Sequence, residues 1–164
     1  MAQAILALGS NQGDRRAHLV EAVRRLGQAD LRPAKSSSLW ETEPVGSAAG
    51  PGAFLNMVII STTTLTAREV LDTCLGIERA MGRVRGEPGG PRTIDIDLVA
   101  WEQTIVRQPD LVIPHPRMHE RRFVLAPLAE IAPAWTHPET GKTAAEMLAS
   151  VQDPHAVRRL EDGQ

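Results

Sequence analysis

Cysteine is nearly missing from this sequence. Its 164 residues include a single cysteine, Cys74, which excludes an internal disulfide and a zinc site made of several cysteines. No apolar run reaches the roughly 18 residues of a transmembrane helix. Residues 1–5 show neither the basic segment nor the long apolar segment of a secretory signal peptide. These absences predict a cytoplasmic protein with no membrane partner.

The sequence also lacks an excess of positive charge. Its 18 lysines and arginines are balanced by 20 acidic residues, which gives a net charge of −2 and an isoelectric point near 6.2. Dedicated nucleic-acid-binding domains are usually basic, so we expect no nucleic-acid partner. Aromatic residues reach only 3% of the chain, with two phenylalanines, three tryptophans and no tyrosine. Leucine, valine, isoleucine and alanine must therefore supply most of the hydrophobic core.

The order of strand-like and helix-like segments predicts an α+β fold. A capping box of Thr66 and Glu69 marks the start of one helix and places Cys74 on its apolar, core-facing side. The other expected elements are a strand at 3–8 ending in a turn at 9–11, strands at 34–41, 54–65 and 92–101, a helix from Asp14 to Gly27, and short helices at 124–131 and 143–148. The order β-α-β-β-α-β predicts a ferredoxin-like α-β-α sandwich with a mostly antiparallel sheet. We expect one domain over residues 1–164, with an irregular tail at 134–164 that has no readable function.

A pair of aspartates on the last of these strands is the most informative feature. Asp95 and Asp97 are two residues apart, so their side chains leave the strand on the same face, with Cα atoms about 6–7 Å apart. Ile94, Ile96 and Leu98 then enter the core behind them. Two carboxylates at this spacing can hold hard cations such as Mg²⁺. The alternative is an exposed strand face with two surface aspartates.

Basic side chains accompany this pair in the sequence. Arg83 and Arg85 precede it across a glycine-rich segment, and further cationic or titratable groups are concentrated at 115–122. Carboxylates for a metal ion and arginines for phosphate oxygens together favour phosphoryl transfer. The alternative is that the arginines balance surface acids, which is the interpretation we favour for Arg117 and Arg122. For His115, taken by itself, a structural role in the core is the default interpretation.

Four separated motifs resemble one family, the 6-hydroxymethyl-7,8-dihydropterin pyrophosphokinases of folate biosynthesis. They occur in order and at near-constant spacing over about residues 5–133. The motifs are Ala7-Leu8-Gly9-Ser10-Asn11 with Gly13-Asp14; residues 40–46 leading to Phe54-Leu55-Asn56; Ile77-Glu78 and residues 82–85 leading to Gly90-Pro91-Arg92-Thr93-Ile94-Asp95-Ile96-Asp97; and residues 112–118 continuing through 121–128. The string from Gly90 to Asp97 is highly specific.

The resemblance implies transfer of a diphosphate from ATP to the hydroxymethyl group of 6-hydroxymethyl-7,8-dihydropterin, which leaves AMP. It implies that Asp95 and Asp97 ligate two Mg²⁺ ions that bridge the ATP phosphates. The ATP-binding positions that it implies are Glu78, Arg83, Arg85, Arg92, Leu98, His115 and Arg121. Of these, Arg83 and Arg92 are expected to act in catalysis together with the two aspartates.

The same resemblance implies a pterin pocket. Phe54 and Phe123 match two aromatic rings that sandwich the bicycle, an arrangement that favours offset stacking on both faces. Thr42 and Val45 match positions that bind the pterin largely through backbone hydrogen bonds. The amide of Asn56 supplies both a donor and an acceptor for the pterin's amide edge. For both phenylalanines the alternative is plain core packing.

The glycine-rich segment 82–91 is expected to close over the bound nucleotide. It has almost no apolar side chains to pack, and its two arginines can order against phosphates. Gly89 departs from the family pattern, because relatives often carry an aromatic residue there. We therefore expect closure to depend on the arginines.

Two other classes of protein share part of this pattern. Nucleotidyltransferases of the polymerase-beta type also combine Gly-Ser with Asp-x-Asp, but in that group the two elements lie close together. Here Gly9 and Asp95 are more than 80 residues apart. A non-catalytic ferredoxin-like sensor of small molecules has no reason to collect two carboxylates and several arginines on one surface. We therefore expect an enzyme that acts as a monomer on ATP and a pterin.

Overall fold

A computed structural model describes residues 1–43, 53–82 and 93–160 of the chain. These residues form eight strands, four α-helices and one short 3-10 helix. In chain order they are β1 (Ala2–Ser10), α1 (Arg15–Gln28), β2 (Arg32–Ser36), β3 (Trp40–Thr42), β4 (Phe54–Thr63), α2 (Ala67–Ala80), β5 (Asp95–Trp101), β6 (Val106–Gln108), β7 (Leu111–Ile113), the 3-10 helix (Met118–Glu120), α3 (Arg122–Ile131), α4 (Ala144–Ser150) and β8 (Val157–Arg159).

Six of the strands form one antiparallel sheet. The order across it is β5-β1-β4-β3-β8, and β2 pairs with the same edge of β4 as β3 does. The central pair, β1 with β4, is in register over nine residues, from Ala2 opposite Thr63 to Ser10 opposite Leu55. β6 and β7 form a separate two-stranded ribbon.

Helices cover both faces of this sheet because its central strands are apolar on both sides. Leu6 and Leu8 of β1 pack in the cluster that contains α1 and α2, whereas Ile5 and Ala7 pack in the cluster that contains α3 and α4. Strands buried on both faces read as continuous apolar runs. The expected α-β-α sandwich with a mostly antiparallel sheet is confirmed.

Capping boxes set where two of the described helices begin. At α2 the Thr66 hydroxyl accepts from the Glu69 N–H at 3.2 Å, and the Glu69 carboxylate accepts from the Thr66 N–H at 2.9 Å. The predicted capping box is therefore confirmed, and Thr143 and Glu146 form another at α4. The predicted end of α1 was one residue short, because Gly27 is helical and the chain turns only at Asp30, whose φ is 68°.

Three other elements differ from the sequence prediction. β1 continues through Gly9 to Ser10, where a turn was expected, because both residues pair with β4. The extended stretch at 34–41 divides into β2 and β3, and Ser37 between them binds the backbone of Val58 through both its N–H and its hydroxyl. The tail was expected to be irregular, yet its β8 pairs with β3 at the edge of the main sheet.

Among the described residues, no helix is both long enough and apolar enough to cross a membrane.

Cys74 is a core residue, as expected from its place on α2. It is fully buried, and burial raises the pKa of its thiol to about 12, with the negative charges of Glu78 and Asp97 acting in the same direction. A thiol with this pKa carries almost no thiolate at neutral pH, and the thiolate is the reactive form.

We expect the Cys74 thiol of the native protein to resist alkylation by iodoacetamide at pH 8. In guanidinium chloride the same thiol should react readily, since an exposed cysteine has a pKa of about 8.5. Mass spectrometry of the native and unfolded samples over time measures the difference. Equal rates in the two samples would contradict the buried position.

Candidate active site

The acidic pair lies at the outer edge of the sheet, on the face covered by α3 and α4. Asp95 and Asp97 are partly exposed on β5, while Ile96 between them is buried in the cluster of α1 and α2. Ile94 and Leu98 are buried in that same cluster. The predicted alternation is thus confirmed, and the two carboxylates leave the strand together.

Glu78 supports the strand that carries the pair. Its side chain reaches from α2, is 1% exposed, and accepts a hydrogen bond from the Ile96 N–H at 2.7 Å. That N–H belongs to the residue between the two aspartates, so Glu78 fixes the backbone of β5 at this point. Glu78 and the buried Leu98 were both expected to bind ATP, and this role stays a prediction.

Small residues separate the acidic pair from a second group of polar side chains. On β1, Gly9 pairs with Asp95 on one side and with Asn56 on the other. Residues paired directly across an antiparallel ladder project from the same face. Asp95 and Asn56 are two strand spacings apart, about 10 Å between their Cα atoms. The acids and the amide therefore face a common space above β1.

Gly9 was not recognised as a site residue from the sequence. An ideal Cβ at this position would lie 2.8 Å from the Asn56 Oδ1 and 3.4 Å from the Phe54 Cδ1. The Asn56 amide and the Phe54 ring can lie this close to β1 only because Gly9 has no side chain. A glycine inside a strand often marks such a close approach, but Gly9 was expected in a turn.

The residues expected to bind the pterin through β3 and β4 lie together. Thr42 pairs with Phe54 across the two strands, and the Asn56 Nδ2 donates to the Thr42 Oγ1 at 2.5 Å. Thr42 and Asn56 are both buried. This hydrogen bond fixes the orientation of the amide that faces the acidic pair.

The start of α3 brings a cation and a ring to the same face of the sheet. The guanidinium carbon of Arg121 lies 5.6 Å from the centroid of the Phe123 ring, a cation–π contact. Phe123 packs against the edge of the apolar cluster of α3 and α4 and is only partly buried. Its expected stacking role and the alternative of core packing are both compatible with this position.

His115 is tied to the acidic strand through a bulge. The pairing of β5 with β1 shifts between Ile5 and Leu6, which leaves Val99 as the extra residue. The carbonyl of Val99 accepts from the His115 N–H at 2.8 Å. Bulges of this kind often redirect the chain beside active sites.

The His115 ring is held in its neutral form. Burial lowers its pKa to about 4, and the positive charges of Arg121 and Arg117 act in the same direction against the opposing charge of Asp95. The ring Nδ1 accepts from the Arg117 N–H at 3.1 Å, so the ring proton resides on Nε2. His115 thus offers a neutral N–H donor close to the acidic pair.

Two arginines were expected to balance surface acids, and they behave differently. Arg117 pairs with the exposed Glu120 at 3.2 Å, as expected. Arg122 does not, because its guanidinium donates to the backbone carbonyls of Asp153 and His155 in the tail. The expectation for Arg122 was therefore wrong.

Four expected site residues lie outside the described residues: Val45, Arg83, Arg85 and Arg92. The expected closure of 82–91 also falls almost wholly outside them.

Arg15, which was not singled out from the sequence, contacts described residues on both sides of 44–52. Its guanidinium donates to the Ala53 carbonyl at 2.9 Å and pairs with Glu41 at 2.8 Å. An arginine at a helix start opposes the helix dipole, which could have indicated a tertiary ion pair.

The donor set fits Mg²⁺ better than a metal held by the protein alone. Within the described ranges, no group of three or more histidine, cysteine or acidic side chains could hold a metal ion. Mg²⁺ is usually bound by one or two carboxylates, with water and substrate phosphates completing its oxygen shell. Asp95 and Asp97 supply that number of carboxylates on one open face of β5.

Comparison with known proteins gives one consistent result. The sequence model of the family described as 7,8-dihydro-6-hydroxymethylpterin-pyrophosphokinase (HPPK) matches residues 5–133. The 2-amino-4-hydroxy-6-hydroxymethyldihydropteridine pyrophosphokinase of Methylorubrum extorquens is 43% identical over 162 residues, 98% of this chain and 100% of that protein. The protein of the same name from Bacillus subtilis is 46% identical over 129 residues, 78% of this chain and 77% of that protein.

Solved structures show the same fold. The crystal structure of Plasmodium falciparum HPPK-DHPS wild type with pteroate aligns with a TM-score of 0.73 and 15% sequence identity. The alignment covers 90% of this chain and 42% of that one, so this chain spans less than half of the Plasmodium protein.

We expect Gly9→Ala to disturb the Asn56 amide, because the new methyl group would overlap its oxygen. Overpacking of this kind costs about 1–3 kcal/mol of the free energy of unfolding. Gly27→Ala is the matched control: nothing lies within 4 Å of its Cβ position, and in a helix the change should stabilise by about 0.5–1 kcal/mol. Denaturant unfolding and the Asn56 side-chain amide signals in NMR report the effect. Unchanged stability and signals in Gly9→Ala would contradict the close approach.

We expect His115 to titrate near pH 4 in the folded protein, well below the 6.5 of an ordinary imidazole. Between these two values the unfolded chain binds more protons than the folded chain, so the free energy of unfolding should fall as pH falls through this window. NMR titration of the ring measures the midpoint, and His115→Gln should make stability less dependent on pH there. A midpoint near 6.5 would show that the ring is not desolvated.

Proposed function

The chain belongs to the 7,8-dihydro-6-hydroxymethylpterin-pyrophosphokinase family of folate synthesis, and from this premise we propose that it transfers diphosphate from ATP to 6-hydroxymethyl-7,8-dihydropterin. The hydroxymethyl oxygen forms a bond to the β-phosphorus and releases its proton to solvent. The bond between that phosphorus and the oxygen bridging it to the α-phosphorus breaks, and AMP leaves. One observation carries the proposal: an acidic pair and an amide–aromatic group face a common space across the side-chain-free Gly9.

The acidic half of this space suits the phosphates. Asp95 and Asp97 would hold Mg²⁺, two ions by resemblance to the family, and the metal would neutralise charge on the phosphate oxygens. Glu78 keeps these carboxylates in place by fixing the Ile96 N–H between them. We propose that the reaction requires Mg²⁺ because two carboxylates that leave one strand face together can both be ligands of this hard cation.

The N–H donors near the acids suit the phosphate oxygens. Arg121 contributes a permanent positive charge, and His115 contributes the N–H on its Nε2 without a charge that would repel the metal. Arg83, Arg85 and Arg92, assigned from the sequence, complete the set that stabilises charge on the transferring group.

The other half of the space suits a flat heterocycle. Phe123 and Phe54 offer ring faces for stacking, each with part of its surface exposed. The Asn56 amide, oriented by Thr42, presents polar atoms to the edge of the pterin. Val45 completes this pocket by resemblance to the family. About two strand spacings separate Asp95 from Asn56, which leaves room for the hydroxymethyl group between ring and phosphates.

The monomeric state and the cytoplasmic location stay predictions of the sequence.

The decisive experiment identifies the nucleotide product. The purified protein with ATP, Mg²⁺ and 6-hydroxymethyl-7,8-dihydropterin should form AMP and the pterin diphosphate in equal amounts, and no AMP without the pterin. Asp97→Asn should lower turnover by about 100-fold or more, since the metal contributes several kcal/mol to charge stabilisation. Asp72→Asn, at an exposed position on α2, is the matched control and should leave turnover unchanged.

Other products would contradict the proposal. ADP would indicate transfer of a single phosphate, and pyrophosphate released from ATP would indicate nucleotidyl transfer. Wild-type turnover in a folded Asp97→Asn variant would remove the acidic pair from the mechanism.

A further inference from the structure

The first turn of α3 lacks the cap that a helix normally supplies to itself. The residue at its N-cap position is Arg121, whose side chain makes no capping hydrogen bond to the first turn. The first N–H groups of a helix need partners from elsewhere. Here the partner comes from the tail: the Asp153 Oδ2 accepts from the Arg122 N–H at 2.9 Å. Asp153 therefore caps α3 from more than 30 residues away in sequence.

The contact between the tail and α3 is reciprocal. The Arg122 guanidinium donates back to the carbonyls of Asp153 and His155. The other carboxylate oxygen of Asp153 accepts from the His155 N–H at 2.9 Å and contacts the His155 ring Nδ1 at 2.5 Å. We call Arg122, Asp153 and His155 the tail clamp. Its carboxylate is only 4% exposed, so water cannot easily replace these contacts.

The carboxyl group of Asp153 is negatively charged at the start of α3. Burial raises the pKa of this carboxyl, but hydrogen bonds from His155 and Arg122 outweigh it and hold the pKa below its usual value. The group is thus ionised at neutral pH. A carboxylate at the start of a helix is stabilised by the helix dipole.

The clamp holds the turn that carries two candidate site residues. Arg121 and Phe123 are the immediate neighbours of Arg122, and they are in cation–π contact with each other. We propose that Asp153 is a positioning residue that fixes the first turn of α3, so that Phe123 presents its ring to the pterin. The inference rests on the proposed function, since it assigns the tail a part in substrate binding at that same site.

The first turn of α3 can be described by two states, one ordered and one frayed. If the uncapped turn frays, only the ordered fraction binds, and the apparent Kd rises by the inverse of that fraction. Loss of a helix cap corresponds to a factor of about 3 to 30 in such an equilibrium. We expect Asp153→Ala to raise the Kd for the pterin measurably, by at most a factor in this range, as measured by calorimetry. Asp153→Asn should retain most of the affinity, because its side-chain oxygen can still accept from the Arg122 N–H.

Thr143→Ala is the matched control for stability. It removes the side-chain cap of α4, which packs in the same apolar cluster as α3. The melting temperature of Thr143→Ala should fall by an amount similar to that of Asp153→Ala. Its Kd for the pterin should stay within about twofold of wild type. Binding is measured at a temperature where circular dichroism shows every variant folded.

A double-mutant cycle separates positioning from a general loss of stability. If Asp153 acts through the Phe123 ring, its effect on pterin affinity should largely disappear in a Phe123→Ala background. Hydrogen exchange of the amides at 122–125 should rise in Asp153→Ala in the absence of any ligand. Full additivity in the cycle, or wild-type affinity in Asp153→Ala despite faster exchange, would overturn the inference and leave the proposed function intact. A wild-type chain that does not bind the pterin would overturn both.

Discussion

The register of β1 between β4 and β5 is the constraint on which the site depends. It places Asp95, Gly9 and Asn56 in one row across three strands, with all their side-chain directions on the face of α3 and α4. A slip of β1 by one residue would turn Gly9 and every other residue of β1 to the opposite face. The apolar residues of β1 are buried on both sides of the sheet, so such a slip would also exchange the contents of two hydrophobic clusters. Core packing and site geometry are therefore specified by the same strand pairing.

Around this row, the negatively and positively charged side chains lie on different elements. The acids lie on β5, and the permanent cation Arg121 lies at the start of α3. His115 between them is kept neutral by burial and by neighbouring arginines, despite the attraction of Asp95. A neutral donor at this position offers a hydrogen bond without adding positive charge beside the two carboxylates. The bulge at Val99 makes this possible, because its carbonyl holds the His115 backbone beside β5.

Contacts between distant parts of the chain hold the borders of the site. Glu78 reaches from α2 to the backbone between the two aspartates. Arg15 reaches from α1 to Glu41 and Ala53, on either side of 44–52. The buried Glu78 carboxylate binds a backbone N–H, and Arg15 binds a backbone carbonyl as well as the partly exposed Glu41, so loss of either side chain would leave polar groups without these partners. The site thus depends on polar contacts from the layer of α1 and α2, although the two aspartates lie on the opposite face of the sheet.

Much of the fold could be predicted from the sequence, because its signals are local. The capping box at Thr66, the alternation around Asp95 and the core position of Cys74 each depend on residues a few positions apart, which strand and helix geometry relate directly. The motifs also identified the family. Periodicity, however, tells which face a residue occupies and not which strand lies beside it. The need for Gly9 to lack a side chain, the neutral state of His115 and the capping of α3 by Asp153 were therefore decided by tertiary structure, since each arises from groups that only folding brings together.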